Sequence, residues 1–272
     1  MGIFAEKKFA TVAALFAAVV AIDPTRPLLT YYDDATAERT ELSGATLDNW
    51  VAKTANMLVD GLGLGHGDRA TVALPPHWQA AAVLLGCWSA GLSLSLADPT
   101  DPAGSAGSAQ PAGSAESAGS ARPAGSAQPA EVAFVAIDRL ADAAGAGDRF
   151  VLGLAPMALP LRDVPAGYTD FVAEVRGHGD RFRPSTPIGG TDPALTDGTD
   201  HDRLYAAALD AAERLALSPT DRVLVDAARV DGPLDWLLAP LAAGASIVLC
   251  ANSDPAALAA RQASERVTRT LT

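Results

Sequence analysis

The chain has 272 residues, a formal charge of -12 from 20 Lys+Arg against 32 Asp+Glu, and 49% apolar residues. That length suits one large domain or two small ones, with a core of useful size. The negative charge argues against a nucleic-acid backbone as partner, and two cysteines, Cys87 and Cys250, cannot make a disulfide scaffold.

Lys7 and Lys8 precede an apolar run from Phe9 to Ile22 that imitates a signal peptide. The run is too short for a bilayer, which needs about 20 residues. Phe9, Val12, Phe16 and Val19 instead recur at helical spacing, with alanine on the opposite face. Asp23-Pro24 stops this helix. The absence of a clean small-residue cleavage site and of a disulfide framework predicts a cytoplasmic protein without a membrane partner.

Leu28 to Tyr32 and Arg39 to Leu42 read as a hairpin around Asp33-Asp34. Thr46 is the expected N-cap of a helix from Leu47 to about Leu62, which the glycines at 61, 63, 65 and 67 end. That cluster is not a nucleotide loop. Its G-x-G-x-x-G spacing fails at His66 and Asp68, and it precedes a strand instead of following one. A strand over Ala70 to Leu74, a helix over Trp78 to Ala90 stopped by Gly91, and an alternating Leu92 to Leu96 strand follow. Ala103 to Ala130 repeats Gly-Ser-Ala without a large apolar residue and reads as a flexible insertion. Beyond it, Val132 to Ile137 and Phe150 to Leu154 are strand candidates, and one helix is expected near Tyr168 to Val175. Helices over Asp202 to Leu217, Leu234 to Ala243 and beyond Pro255 alternate with strands over Arg222 to Asp226 and Ser246 to Cys250. Trp78, Trp88 and Trp236 are expected to serve the core.

The chain repeats itself. A shift of 153 residues lays Leu62, Leu64, Asp68, Arg69, Val72, Leu84, Leu85, Ala90, Gly91, Ser93 and Leu96 on identical residues from Leu215 to Leu249 without a gap. The unit is helix, Asp-Arg, strand, helix, Ala-Gly, strand. Parallel strands joined by a helix belong in a sheet covered on both faces. The expected fold is α/β, with two pseudo-repeated halves of layered sheets flanked by helices, at 1–102 and 131–272. The low-complexity linker 103–130 joins them.

The usual catalytic constellations are missing from the sequence. His66, His77, His178 and His201 have no partner at metal-ligand spacing, so no metal is expected. No G-x-S-x-G elbow occurs. A cleft is expected beyond the strand carboxyl ends.

Leu29-Thr30-Tyr31, the helix with Leu47, Asp48 and Asn56, the run from Gly67-Asp68-Arg69 to Pro75, Ala90-Gly91 and Asp98-Pro99 occur in order. So do His201, Leu204, Ser218-Pro219-Thr220-Asp221-Arg222, Pro240 to Gly244 and Asp254-Pro255. This series resembles the large N-terminal part of adenylate-forming enzymes, the acyl-CoA synthetase and AMP-binding superfamily. In particular it resembles a short actinobacterial branch labelled acyl-CoA synthetase-like. That resemblance implies two similar α/β sheets and, in an intact member, a phosphate loop like T-S-G-T-T-G-x-P-K-G. The matching stretch here is Thr196-Asp197-Gly198-Thr199-Asp200-His201, which lacks the second glycine and the lysine. Thr196, Gly198 and Thr199 are the only residues left to bind a nucleotide there, among Asp192, Asp197, Asp200 and Asp202. Lys7, Lys8 and Lys53 are the chain's three lysines, and the family's second catalytic lysine belongs to a small domain beyond Thr272. Arg203 or Arg183 could replace one charge but not the loop. The expectation is a non-catalytic remnant with no cofactor, binding an unknown protein or small molecule. The alternative is an ATP- or AMP-binding half-enzyme completed by another chain.

Overall fold

The computed structural model describes residues 9–97 and 129–271. Lys7, Lys8, Asp98-Pro99 and the insertion up to residue 128 lie outside the described residues.

Helix α1 (Val12–Ile22) buries Val12, Leu15, Phe16 and Val19, the stripe that the spacing marks, and Thr11 caps it by accepting the Ala14 N–H. The hairpin is β1 (Pro27–Asp33) and β2 (Glu38–Ser43). Helix α2 (Gly44–Asn56) starts earlier than expected. Ser43, not Thr46, is the N-cap, because its Oγ accepts the Thr46 N–H at 3.1 Å. The helix widens into a π-type turn over Met57–Gly61 before Gly63 and Gly67 take positive φ. Strand β3 (Arg69–Ala73), helix α3 (Trp78–Ala90) and strand β4 (Ser93–Leu96) follow as the pattern predicts. Next come β5 (Val132–Ala136), β6 (Asp148–Leu152), the two-residue β7 (Thr169–Asp170) and the short α4 (Phe171–Val175). Helix α5 (His201–Arg214), β8 (Arg222–Asp226), a π-type turn over Leu234–Leu238 running into α6 (Ala239–Ala243), β9 (Ser246–Ala251) and α7 (Pro255–Ser264) complete the expected alternation. A last strand, β10 (Arg269–Leu271), has no sequence signal beyond three residues.

Among the described residues two five-stranded sheets result, ordered β10-β8-β9-β1-β2 and β4-β3-β5-β6-β7. The second is wholly parallel; the first is parallel except for the β1–β2 hairpin. The fold is therefore α/β with two related sheets, as the repeat implies. The register makes that relation concrete. Arg69 faces Ser93 across β3–β4, and Arg222 faces Ser246 across β8–β9. The third strands also correspond: Ala70 faces Val132, and Val223 faces Arg269. Gly91 and Gly244 end the crossover helices at φ 86° and 75°. The sheets do not follow the two sequence halves, however. The hairpin at residues 27–43 joins the sheet made by residues 222–271.

Helix α3 is the centre of the molecule. Apart from Ser89, every residue from Trp78 to Ala90 is buried, so the helix is apolar all round and not amphipathic. Gly86 lets α2 approach: a Cβ there would sit 2.6 Å from the Thr54 side chain. Trp78, Trp88 and Trp236 are all in the core. No helix among the described residues is long and apolar enough to cross a membrane.

Candidate functional site

The segment from Asp192 to Asp202 carries the sequence-predicted phosphate-binding residues. It is stitched to the edge of the second sheet. Leu195 bridges Leu94 in parallel, the Leu94 N–H donates to the Ala194 carbonyl, and the Thr196 N–H donates to the Leu94 carbonyl, both at 3.0 Å. The Trp88 indole N–H donates to the same Ala194 carbonyl at 3.0 Å.

Within the segment the chain closes on itself. The Gly198 N–H donates to the Leu195 carbonyl at 3.2 Å, and Gly198 takes φ 94°, which a tight turn demands. The Ala194 and Leu195 N–H groups both donate to the Thr199 carbonyl, at 2.8 and 2.9 Å. The Thr199 N–H donates to Asp197 Oδ1 at 2.8 Å. Thr196 and Gly198 are exposed and Thr199 is half-buried. The structure thus brings the three residues together, in a surface turn in which the N–H groups of Ala194, Leu195, Thr196, Gly198 and Thr199 are engaged.

The helix behind this turn is closed in the same way. The first four N–H groups of a helix have no intrahelical acceptor and are the usual grip on an anion. In α5 the His201 N–H donates to the Asp192 carbonyl and the Asp202 N–H to the Gly190 carbonyl, at 3.1 and 2.8 Å. The Arg203 N–H donates to Asp200 Oδ1 at 2.8 Å. Gly190 is needed for this closure, since a Cβ there would lie 2.6 Å from the Asp202 carboxylate.

Electrostatics point the same way. The Gly189 N–H hydrogen bond holds the Asp192 carboxyl below its ordinary range against a small effect of burial, and His66, 3.0 Å away, helps. The Thr199 backbone and hydroxyl do the same for Asp197. Both are therefore ionised at neutral pH, in the segment that corresponds to the phosphate loop. Arg203 lies 3.7 Å from Asp200 and is spent locally. Lys53 is turned away and caps another segment, donating to the carbonyls of Arg176 and His178 at 3.3 and 2.6 Å. His201 is wholly buried with neither ring nitrogen partnered, and burial holds its pKa down. Among the described residues no three His, Cys, Asp or Glu side chains gather to hold a metal.

At the strand carboxyl ends the described residues line two small cavities. One cavity of about 120 Å³ lies among Leu74, Pro75, Ala97, Asp138 and Arg139, and one of about 40 Å³ beside Leu96 and Trp236. Larger spaces flank residues 181–188, a segment tied down by Asn56, whose side-chain amide donates to the carbonyls of Gly179 and Arg181. On one side a cavity of about 440 Å³ opens on Gly65, His66 and Asp68 at the amino end of β3. On the other a cavity of about 460 Å³ opens between α1 and α2. Sequence reading missed both, because a pattern of isolated arginines in a Pro- and Gly-rich stretch carries no periodic signal.

Comparison with known proteins agrees with this architecture. Residues 16–108 match the family model described as AMP-binding enzyme. A Mycobacterium tuberculosis protein described as a TIGR03089 family protein is 42% identical over 258 residues, covering 92% of this chain and 93% of that protein. A Brucella canis acyl-CoA synthetase superposes with a TM-score of 0.67 at 18% identity, over 96% of this chain and 46% of its own. A Burkholderia xenovorans benzoate CoA ligase gives 0.65 at 16% identity, over 97% and 50%. The chain therefore spans about half the length of these solved proteins, and at such identities the likeness is one of fold. With a full-length relative at 42% identity and the AMP-binding match over its first third, the chain belongs to the TIGR03089 family and is a relative of the adenylate-forming superfamily.

Proposed function

We propose that this chain is a non-catalytic member of the adenylate-forming fold that works as a binding or interaction module, in the cytoplasm and without a nucleotide cofactor. The observation that carries the reading is the engagement of the Ala194–Thr199 turn and the first turn of α5 in internal hydrogen bonds. A phosphate cradle needs several free N–H donors and a cation. Here the N–H groups of Ala194, Leu195, Thr196, Gly198 and Thr199 are used, and the segment carries four carboxylates, at Asp192, Asp197, Asp200 and Asp202. The charge of -12 speaks against a nucleic-acid partner. Both cysteines are free and buried, which fits a reducing compartment. The partner is then a protein or a small molecule.

Calorimetric titration with ATP, AMP, CoA and an acyl-CoA, together with a pyrophosphate-release assay, tests the reading. No saturable ATP heat and no acid-dependent pyrophosphate are expected. Turnover of ATP by the purified chain overturns it.

One observation favours a second reading, in which the chain supplies half of an ATP- or AMP-dependent ligase: its fold aligns with about half of the solved CoA ligases. Under that reading AMP binds saturably at Thr196, Gly198 and Thr199 even where turnover is absent, and the same titration separates the two.

A further inference from the structure

The cavity of about 460 Å³ between α1, α2 and the 181–188 segment lies away from the Thr196–Thr199 turn, and its size is that of a small-molecule site. Its lining is mainly apolar, with Phe16, Val51 and Ile188 in it beside Ala13 and Ala17 of α1. Three charged side chains line it: Arg181, Arg183 and Asp48. Both arginines are exposed. Among the described residues neither guanidinium has a hydrogen-bond or ion-pair partner. Here two guanidinium forks share the rim of one apolar cavity, two residues apart, and a guanidinium is the side chain best suited to hold a flat or tetrahedral oxyanion. Asp48 cancels one of the two charges, so the lining carries a single net positive charge.

We propose that this cavity binds an amphipathic anion: one oxyanion held by Arg181 and Arg183, joined to a compact apolar body that packs against Phe16, Val51 and Ile188. The inference rests on the binding role proposed above and gives it a ligand class. Two arginines against one aspartate favour an anion over a cation. The apolar walls select against a bare inorganic ion, which would gain nothing from them.

Calorimetry without nucleotide tests the proposal on the full chain, with octyl sulfate and octanoate as probes. These two arms distinguish a sulfate-type from a carboxylate-type headgroup. Octanol and octylamine serve as controls. At least one anionic probe is expected to bind at one site per chain, with both controls about tenfold weaker or absent. Arg181→Glu and Arg183→Glu, both at exposed positions, are expected to weaken binding by about tenfold or more. Ala17→Trp, on the exposed side of α1, is expected to abolish it by filling the cavity while leaving the thermal midpoint close to that of the parent chain. The proposal is overturned if neither anion binds saturably, if octylamine or octanol binds as tightly as the anions, or if binding persists undiminished in the three variants. Because no ATP is present, failure here leaves the assignment of the Thr196–Thr199 turn standing, and ATP binding there leaves this cavity untouched.

Discussion

Asp68 and Asp221, 153 residues apart, make the same three contacts. Each donates its N–H to the carbonyl three residues earlier, Gly65 or Ser218, at 3.0 Å. Each accepts that residue's N–H on Oδ2, at 2.8 and 2.7 Å. Each offers its carbonyl to the serine that opens the next strand, Ser93 at 2.9 Å and Ser246 at 3.0 Å. The aspartate of the repeated Asp-Arg pair is thus a structural clip that fixes a tight turn to the start of a parallel strand pair.

The two clips differ in burial, and their removal should differ accordingly. Asp221 is buried and also accepts from the Ser218 and Thr268 hydroxyls, at 2.7 and 2.6 Å. Asp68→Ala is expected to cost about 1 kcal/mol and Asp221→Ala about 2–3 kcal/mol, since the latter strands several donors. Urea unfolding of the two variants checks the order, and equal losses would contradict it.

Glu265 ties the carboxyl-terminal strand pair to the hairpin. It is buried, bonds Tyr32 and Arg222, and lies 3.0 Å from Arg39. Burial alone would raise its pKa, but the bonds from Tyr32, Arg222 and Arg39 outweigh it and bring it to about 2. A carboxylate held below its unfolded value stabilises the fold above that value and loses the effect as pH falls through the folded one. The contribution is therefore complete above about pH 4.5 and fades toward pH 2. Glu265→Gln is expected to cost about 3 kcal/mol at pH 7 and to flatten the pH dependence between those limits. Unfolding curves at several pH values read both effects.

Two buried histidines set a higher acid limit. Burial pushes His77 down to about 3 and lowers His201 as well. Both are neutral in the fold and become charged on unfolding below about pH 6.5. Stability is full above that pH and is lost as pH falls below it, for His77 down to about 3. His201→Leu removes a ring whose two nitrogens have no partner, so it is expected to be neutral or stabilising at pH 7 and to reduce the loss at pH 5. A thermal-midpoint series of parent and variant between pH 7 and 5 checks this.

Changing charge alone should not restore nucleotide binding. Asp197→Lys returns a cation to the turn, yet the N–H groups of Ala194, Leu195, Thr196 and Gly198 stay bonded to backbone carbonyls. No saturable ATP heat is expected from this variant. A clear affinity would mean that the Asp197 carboxylate, through its charge or its hold on the Thr199 N–H, is what keeps the phosphate away.

Gly86→Ala tests the packing of the centre. The new methyl would meet Thr54 at 2.6 Å and the Val51 carbonyl at 3.3 Å, where two helices touch. A loss of about 1–3 kcal/mol is expected in spite of the gain in helix propensity, and chemical denaturation measures it.

The sequence alone determined most of the local structure. Helical spacing from Val12 to Val19, the alternation at Leu92 to Leu96 and the stops at Gly91 and Gly244 depend on residues close in the chain. So does the repeat, because an Asp-Arg clip and an Ala-Gly stop are local devices at fixed distances. Ser43 displaced Thr46 as a cap for a reason local but subtle, since either side chain can accept a first-turn N–H and the hairpin's end decides which one is in place. Tertiary structure alone decided which strands share a sheet. The hairpin at β1–β2 pairs with β9, about 200 residues away, through backbone groups that carry no residue identity. It also decided the fate of the phosphate-loop remnant and of Arg181 and Arg183. Whether an N–H is free or bonded, and whether an arginine faces water or a cavity, depends on what distant segments fold against it. Side-chain order along the chain does not encode that.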